Sequence, residues 1–203
     1  MSQFSIILAS GSPQRKTLLA DAGYEFDVSP PHDSAECGIC SNCGPAEFVA
    51  DLSLRKLQDV VSRLPGVSTS TVVIACDTVA ECQGMILGKP RDESHARAML
   101  EQLSGQRHRV FSGLSLCLLK ADATPPTVLT RIARTELLMD NLSPSAIEEY
   151  LATDLWQGKA GAYGIQGRAG AFVTRISGSY SGIMGLPLAE TVELLQKFDI
   201  PVW

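Results

Sequence analysis

The run TVVIAC at residues 71–76 is the feature that most constrains the fold. It is continuously apolar and rich in β-branched residues, which is typical of a strand buried on both faces of a sheet. Such a strand needs helices on both sides to exclude water. Asp77 follows the run directly. We therefore expect an α/β protein with a carboxylate at the C-terminal end of its central strand.

Strand and helix patterns alternate along the rest of the chain. Further strands are predicted at residues 4–9, 110–119, 127–139 and 172–176, and helices at 13–22, 45–64, between Asp92 and Gly105, at 144–152, and from Pro187 onward. The 203 residues suffice for one domain or for two lobes that share a sheet. One mixed sheet flanked by helices is the simplest architecture that accommodates these elements.

Composition excludes several classes of protein. The net charge is −5, and 45% of the residues are hydrophobic, which argues against a general nucleic-acid or membrane-surface binder. No apolar run approaches the roughly 18 residues that cross a bilayer, and the first residues do not resemble a signal peptide. We therefore expect a cytoplasmic protein that holds any polyanionic ligand through a local cluster of cations.

Three of the six cysteines lie in the segment CGICSNC, residues 37–43. Cys37, Cys40 and Cys43 form a partial zinc signature, to which His32 could add a fourth ligand. Zinc sites usually pair two separated pairs of ligands, whereas this one short segment carries all three thiols. A loop of reduced cysteines is therefore favoured over a zinc site.

The stretch ILASGSPQRKTLL, residues 7–19, leads from a strand into a helix. Ser12 suits the N-cap and Pro13 the first helical position. The same turn would present helix N–H groups to an anion, with Ser10 and Arg15 alongside. A structural cap and a phosphate-binding turn both fit. The stretch lacks a P-loop, and the nearest approach, GMILGKP at residues 84–90, is too short and ends in Pro.

Charged residues occur in other segments that resemble loops. Lys89 in GKP and Lys159 in GKAG lie beside glycine. Each alone is more typical of a surface lysine, but together with Arg15 they could hold a triphosphate. Asp77 could be a turn residue, a metal ligand or a general base. His108 is interpreted as structural.

Read in order, several of these stretches resemble the Maf family of nucleoside triphosphate pyrophosphatases, also known as septum-formation inhibitors. The resemblance rests on LASGSPQRKTLLADAGY, Glu36, Lys56, ACDTV, LGKPRD, LEQLSGQRHRVFSG, KAGAYGIQG and GSYSGIMGLPL. It extends over nearly the whole chain, in the order and spacing of the family.

The resemblance implies a single Maf-like domain over residues 1–203. The implied fold is a strongly twisted mixed sheet flanked by helices, with two lobes around a nucleotide cleft, as in Maf and ITPase-like proteins. The implied reaction is hydrolysis between the α and β phosphates of a nucleoside triphosphate, with a divalent cation, Mg or Mn. A homodimer is also implied.

The resemblance also assigns site residues. Asp77 is implied to accept the proton of the attacking water and to bind the metal together with Glu36. The implied substrate-holding residues are Ser10, Ser12, Arg15, Lys56, Lys89 and Lys159.

Three further positions, Gln14, Thr78 and Gln166, match those that set substrate choice in the family. GAYGIQG and GSYSGIMGLP are similar to the branch that acts on dTTP and UTP, although Gln14 stands where that branch has Arg. Two alternatives stay open: a nucleotide-binding regulatory protein without catalysis, and a homologue that prefers 7-methyl-GTP.

Overall fold

The structure is a computed structural model and describes residues 4–36, 43–122 and 124–201. Its strands and α-helices are β1 (Phe4–Leu8), α1 (Pro13–Asp21), β2 (Asp27–Val28), α2 (Pro45–Arg63), β3 (Ser70–Cys82), β4 (Met85–Leu87), α3 (Glu93–Leu103), β5 (Arg107–Leu119), β6 (Thr127–Met139), α4 (Pro144–Leu151), β7 (Val173–Ser177), α5 (Tyr180–Met184) and α6 (Leu188–Gln196). The predicted alternation of strands and helices is confirmed.

The strands form one mixed sheet in the order β2-β1-β3-β5-β6-β7, with β4 paired to β3. The pairs β2–β1 and β1–β3 are parallel, and β5, β6 and β7 continue the sheet in antiparallel pairs. Strands β5 and β6 form a hairpin, and its ladder joins residues 107–118 to residues 127–138. The predicted mixed sheet flanked by helices is therefore confirmed.

Strand β3 is longer than predicted, and this changes the place of Asp77. The strand runs from Ser70 to Cys82, so Asp77 lies within it and not at its end, and the prediction of a terminal carboxylate is wrong. The acid interrupts the apolar run, but the ladder with β5 continues past it to Glu81.

The other edge of β3 is interrupted at this point. Strand β1 pairs with residues 70–74 of β3, and β4 pairs with residues 80–82. Between them, residues 75–79 have no strand neighbour on that edge in the part of the chain that the structure describes. Asp77 is therefore next to a gap in the sheet.

The hydrophobic core has two main parts that meet along β3. One part joins α1 and α6 to the first half of β3, through residues such as Leu18, Leu194 and Ile74. The other joins α3 and α4 to the end of β3, through residues such as Leu100 and Ile147. These parts are the two predicted lobes, and the gap at residues 75–79 lies between them.

Helix α2 packs closely on β3 and β5. Gly113 on β5 is the register partner of Asp77, and a Cβ atom placed on Gly113 would lie 2.1 Å from the carbonyl oxygen of Val49 in α2. Only glycine leaves room for the helix backbone here. This close approach carries Lys56, two turns farther along α2, to the level of Asp77.

Some short elements were not predicted. Strand β4 forms a hairpin with β3 through Gln83 and Gly84, both of which have positive φ. The segment that partly matched a P-loop is therefore a strand followed by a loop.

Within the described residues, no helix has both the length and the apolar character needed to span a bilayer.

Candidate functional site

A cleft of about 800 Å³ opens beside residues 75–79 of β3 and gathers side chains from distant parts of the chain. Its lining includes all of the nucleotide-site residues predicted above: Ser10, Ser12, Gln14, Arg15, Glu36, Lys56, Asp77, Thr78, Lys89, Lys159 and Gln166. Residues separated by more than 150 positions thus share one cavity. Its size lies within the range of small-molecule sites.

At one side of the cleft, a lysine bridges two carboxylates. Lys56 Nζ donates a hydrogen bond to Asp77 Oδ1 at 2.6 Å and lies 2.7 Å from Glu36 Oε1. The side chains of Lys56 and Asp77 are only 8% and 12% exposed, whereas that of Glu36 is 52% exposed. Because the Lys56 ammonium is held between two acids, it fixes the position of both.

The charge around Glu36 favours its ionised form. Partial burial acts to raise the pKa of Glu36, but the hydrogen bond from Lys56 and the charges of Lys56, Lys89 and Arg15 outweigh burial and lower it. Three cations are therefore close enough to act on one carboxylate at the rim of the cleft.

This environment predicts the titration of Glu36. Because its pKa is lowered, Glu36 stabilises the fold above its unfolded pKa of about 4.3, and that contribution is lost as the pH falls through the lower folded value. Carbon-13 NMR of the Glu36 carboxyl is expected to show a midpoint below the unfolded value, and Lys56→Met is expected to raise it. An unshifted midpoint in the unmodified protein would contradict this account.

The turn before α1 contributes hydroxyls and a guanidinium. Arg15 Nη1 donates to Ser10 Oγ at 3.2 Å, and Arg15 Nε donates to the carbonyl of Gly185 at 2.8 Å. Ser12 occupies the N-cap as predicted, but its Oγ donates to Gln14 Oε1 at 3.1 Å and caps no N–H of the first turn. The Ser12 hydroxyl thus donates its proton to a side chain and leaves the N–H groups of the first helical turn uncapped.

Lys89 and Lys159 lie on two loops that are joined by a backbone hydrogen bond. The N–H of Gly161 donates to the carbonyl of Gly88 at 3.0 Å, which ties the loop of Lys159 to that of Lys89. Gly161 has a φ of 70°, a conformation that glycine adopts without strain. Both lysines line the cleft.

Several residues that support this site were not predicted from the sequence. Thr78 Oγ1 lies 2.8 Å from Ser112 Oγ on β5, and Ser112 Oγ donates to the carbonyl of Gly182 at 2.8 Å.

His108 makes a second supporting contact. Its Nε2 lies 2.6 Å from the hydroxyl of Tyr163, which lines the cleft. Burial lowers the pKa of His108, against the opposing effects of a Gln106 backbone hydrogen bond and the Glu81 charge. The contacts of Ser112 and His108 depend on residues distant in the chain, so neither gives a signal in the sequence.

The zinc hypothesis falls largely outside the described residues. Cys37 and Cys40 are not among the described residues. His32, the possible fourth ligand, places Nδ1 2.9 Å from Asp59 Oδ1. Among residues 4–36, 43–122 and 124–201, no group of three or more His, Cys, Asp and Glu side chains is placed to hold a metal ion.

The chain is similar over almost its whole length to proteins of one family. The family described as Maf-like protein matches residues 5–198. A dTTP/UTP pyrophosphatase of Rhodopirellula baltica is 44% identical over 195 residues, which cover 96% of this chain and 82% of that protein. A dTTP/UTP pyrophosphatase of Vibrio vulnificus (strain YJ016) is 44% identical over 193 residues, which cover 95% of this chain and 98% of that protein.

Among solved structures, the Ham1 protein of Staphylococcus aureus matches 66% of this chain and 71% of its own, with a TM-score of 0.38 and 13% identity. That likeness is too weak to bear on fold or function. The family match is decisive because it extends from β1 to the end of α6 and includes every residue of the cleft named above. The chain belongs to the Maf family.

Proposed function

We propose that this protein is a dTTP/UTP pyrophosphatase that hydrolyses the α–β phosphoanhydride to a nucleoside monophosphate and pyrophosphate. The observation that carries the proposal is the cleft itself, in which a positioned carboxylate, Asp77, lies among the cations Arg15, Lys56, Lys89 and Lys159. The relatives named dTTP/UTP pyrophosphatase support the substrate class.

The cations would hold the triphosphate. Arg15, Lys89 and Lys159 are the charged donors of the lining that are not already between two carboxylates, and Ser10 and Ser12 add hydroxyls. Negative charge grows on the departing pyrophosphate as the anhydride breaks. Fixed cations stabilise that charge in the transition state, because they are held in place before the reaction begins.

Asp77 would act as the general base. Lys56 occupies its Oδ1, and we assign Oδ2 to the attacking water. The water oxygen bonds to the α phosphorus, the P–O bond between the α phosphorus and the bridging oxygen breaks with its electron pair passing to the departing pyrophosphate, and the water proton passes to Asp77. Lys56 keeps the carboxylate oriented throughout.

Glu36 and Asp77 are suited to hold a divalent cation, Mg or Mn. Mg²⁺ is commonly bound through one or two carboxylates together with substrate phosphates, and these two acids converge on one ammonium group at the cleft. When bound, the ion would neutralise charge on the phosphates. Lys56 would keep its hydrogen bond to Asp77 Oδ1 and balance part of the remaining negative charge of the two acids.

Gln14 would contact the base as a neutral donor. Its Oε1 accepts the hydroxyl proton of Ser12, so its amide NH₂ is the group left to donate into the cleft. Arg at this position in the pyrimidine branch would donate as a cation. A pyrimidine carbonyl accepts from either, so the substitution is compatible with the proposed substrates.

The resemblance to the family also supports a single domain over residues 1–203 and a homodimer.

The direct test is a panel of nucleoside triphosphates with Mg or Mn. Pyrophosphate release is expected from dTTP and UTP, and removal of the metal with EDTA is expected to abolish it until Mn is restored. A calibrated pyrophosphate assay on protein freed of metal measures both effects. Binding without any pyrophosphate release would favour the regulatory alternative, and faster turnover of 7-methyl-GTP than of dTTP and UTP would favour the other branch.

A further inference from the structure

Three oxygen atoms lie in a row from the cleft into the core. Thr78 on β3 and Ser112 on β5 are register partners in the sheet, and their hydroxyl oxygens are 2.8 Å apart. Ser112 Oγ lies 2.8 Å from the carbonyl oxygen of Gly182 in α5. Ser112 is only 1% exposed, whereas Thr78 lines the cleft.

The positions of the protons follow from this geometry. Two oxygens 2.8 Å apart repel unless a proton lies between them. The Gly182 carbonyl has no proton to give, so the proton between it and Ser112 belongs to Ser112. A hydroxyl has only one proton, and Ser112 must therefore accept from Thr78. Thr78 also contacts the thiol of Cys76, but sulfur is a much weaker acceptor than the Ser112 oxygen.

The Thr78 hydroxyl consequently has only lone pairs left for the cleft. Such an oxygen repels phosphate oxygens, carbonyls and other acceptors, and it attracts a ligand group that carries N–H or O–H. We propose that Ser112 is a positioning residue for substrate choice: it fixes Thr78 as a pure acceptor, so that Thr78 selects a base with a ring N–H.

This inference rests on the proposed pyrimidine substrates. Uracil and thymine carry a proton on N3, whereas N3 of cytosine is an acceptor. An acceptor facing Thr78 would leave two lone pairs opposed, a mismatch that costs one to several orders of magnitude in discrimination. The hydrogen bonds from Thr78 to Ser112 and from Ser112 to Gly182 therefore predict a preference for uracil and thymine nucleotides over cytosine nucleotides.

The test measures binding, so that it does not depend on turnover. Affinities for the α,β-imido analogues of UTP and CTP are measured by titration calorimetry with Mg in the unmodified protein and in Ser112→Ala, Ser112→Thr and Ser115→Ala. Ser115 is the matched control, because it is a buried serine of the same strand that hydrogen-bonds to Ser53 and Thr130 instead.

The unmodified protein is expected to prefer the UTP analogue by about tenfold or more. Ser112→Ala is expected to reduce that ratio to a fifth or less, because Thr78 can then turn its proton toward the ligand. Ser112→Thr restores the hydroxyl and is expected to keep the ratio, as is Ser115→Ala. An unchanged ratio in Ser112→Ala, or a ratio in Ser112→Thr as low as in Ser112→Ala, overturns the inference.

A sugar hydroxyl is the other donor that could face Thr78, and the α,β-imido analogue of 3′-deoxy-UTP separates the two sources. One outcome is that Ser112→Ala changes the ratio of affinities for the UTP and 3′-deoxy-UTP analogues while the ratio for the UTP and CTP analogues stays the same. In that case Thr78 faces the sugar, and the assignment to the base is overturned. Binding of the analogues without pyrophosphate release from UTP or dTTP would overturn the proposed function alone. Pyrophosphate release together with an unchanged ratio would overturn this inference alone.

Discussion

Asp77→Asn is expected to lower kcat for dTTP by about 10³-fold, within the range that general bases contribute. The amide keeps the shape of the side chain, and its oxygen can still accept the Lys56 hydrogen bond that Asp77 Oδ1 accepts at 2.6 Å. It cannot take up the proton of the attacking water. Nucleotide binding, which we assign mainly to Arg15, Lys89 and Lys159, is expected to survive.

Pyrophosphate release and calorimetric binding of a non-hydrolysable dTTP analogue are measured on the same preparation of this variant. Asp59→Asn is the matched control, because Asp59 is also a partly buried and paired carboxylate, bonded to His32 and Arg63, but does not belong to the cleft lining. The control is expected to retain its turnover. Activity of Asp77→Asn within tenfold of the unmodified protein would remove Asp77 from the role of base.

Gly113→Ala is expected to destabilise the protein by about 3 kcal/mol, at the upper end of the usual cost of overpacking. The added Cβ would lie 2.1 Å from the Val49 carbonyl oxygen, a distance that no pair of non-bonded atoms tolerates, so α2 must move away from β5. Lys56 lies on α2 and would be drawn away from Asp77. We therefore expect loss of turnover along with stability, even in the fraction of molecules that stays folded.

Urea denaturation measures the free energy of unfolding, and pyrophosphate release is followed at a temperature where the variant is folded. Gly66→Ala is the control for glycine replacement, since a Cβ on Gly66 meets no atom within 4 Å. It is expected to change neither quantity appreciably. A Gly113→Ala protein as stable as the unmodified one would show that α2 can approach β5 without the glycine.

The sequence predicted the elements well where the pattern was long and local. The β-branched run of β3, the prolines at the start of α1, α2 and α4, and the alternation in β5 each act through neighbours in the chain, and their strands and helices appeared near the expected bounds. The extension of β3 beyond Asp77 depends on its ladder with β5. That pairing is distant in sequence, and the local pattern alone predicts that the strand ends at the acid.

The residues of the cleft were found through the family resemblance more than through their local patterns. Lys56 resembles any lysine of an amphipathic helix until Asp77 and Glu36 are placed around it. Gly113 and Ser112 carried no sign of their contacts, because close backbone approach and hydrogen-bond direction arise only when strands and helices are assembled. Sequence patterns could therefore supply single candidates but not their arrangement.

The interrupted edge of β3 also has a mechanical consequence. A strand resists bending most where it is hydrogen-bonded on both sides. Among the residues that the structure describes, residues 75–79 are bonded to a neighbouring strand only along the β5 side. Because β3 runs through both parts of the core, relative motion of the lobes is expected to be concentrated in these five residues. Asp77 and Thr78 belong to that stretch, so motion of the lobes is expected to shift the proposed base together with the hydroxyl proposed to select the substrate.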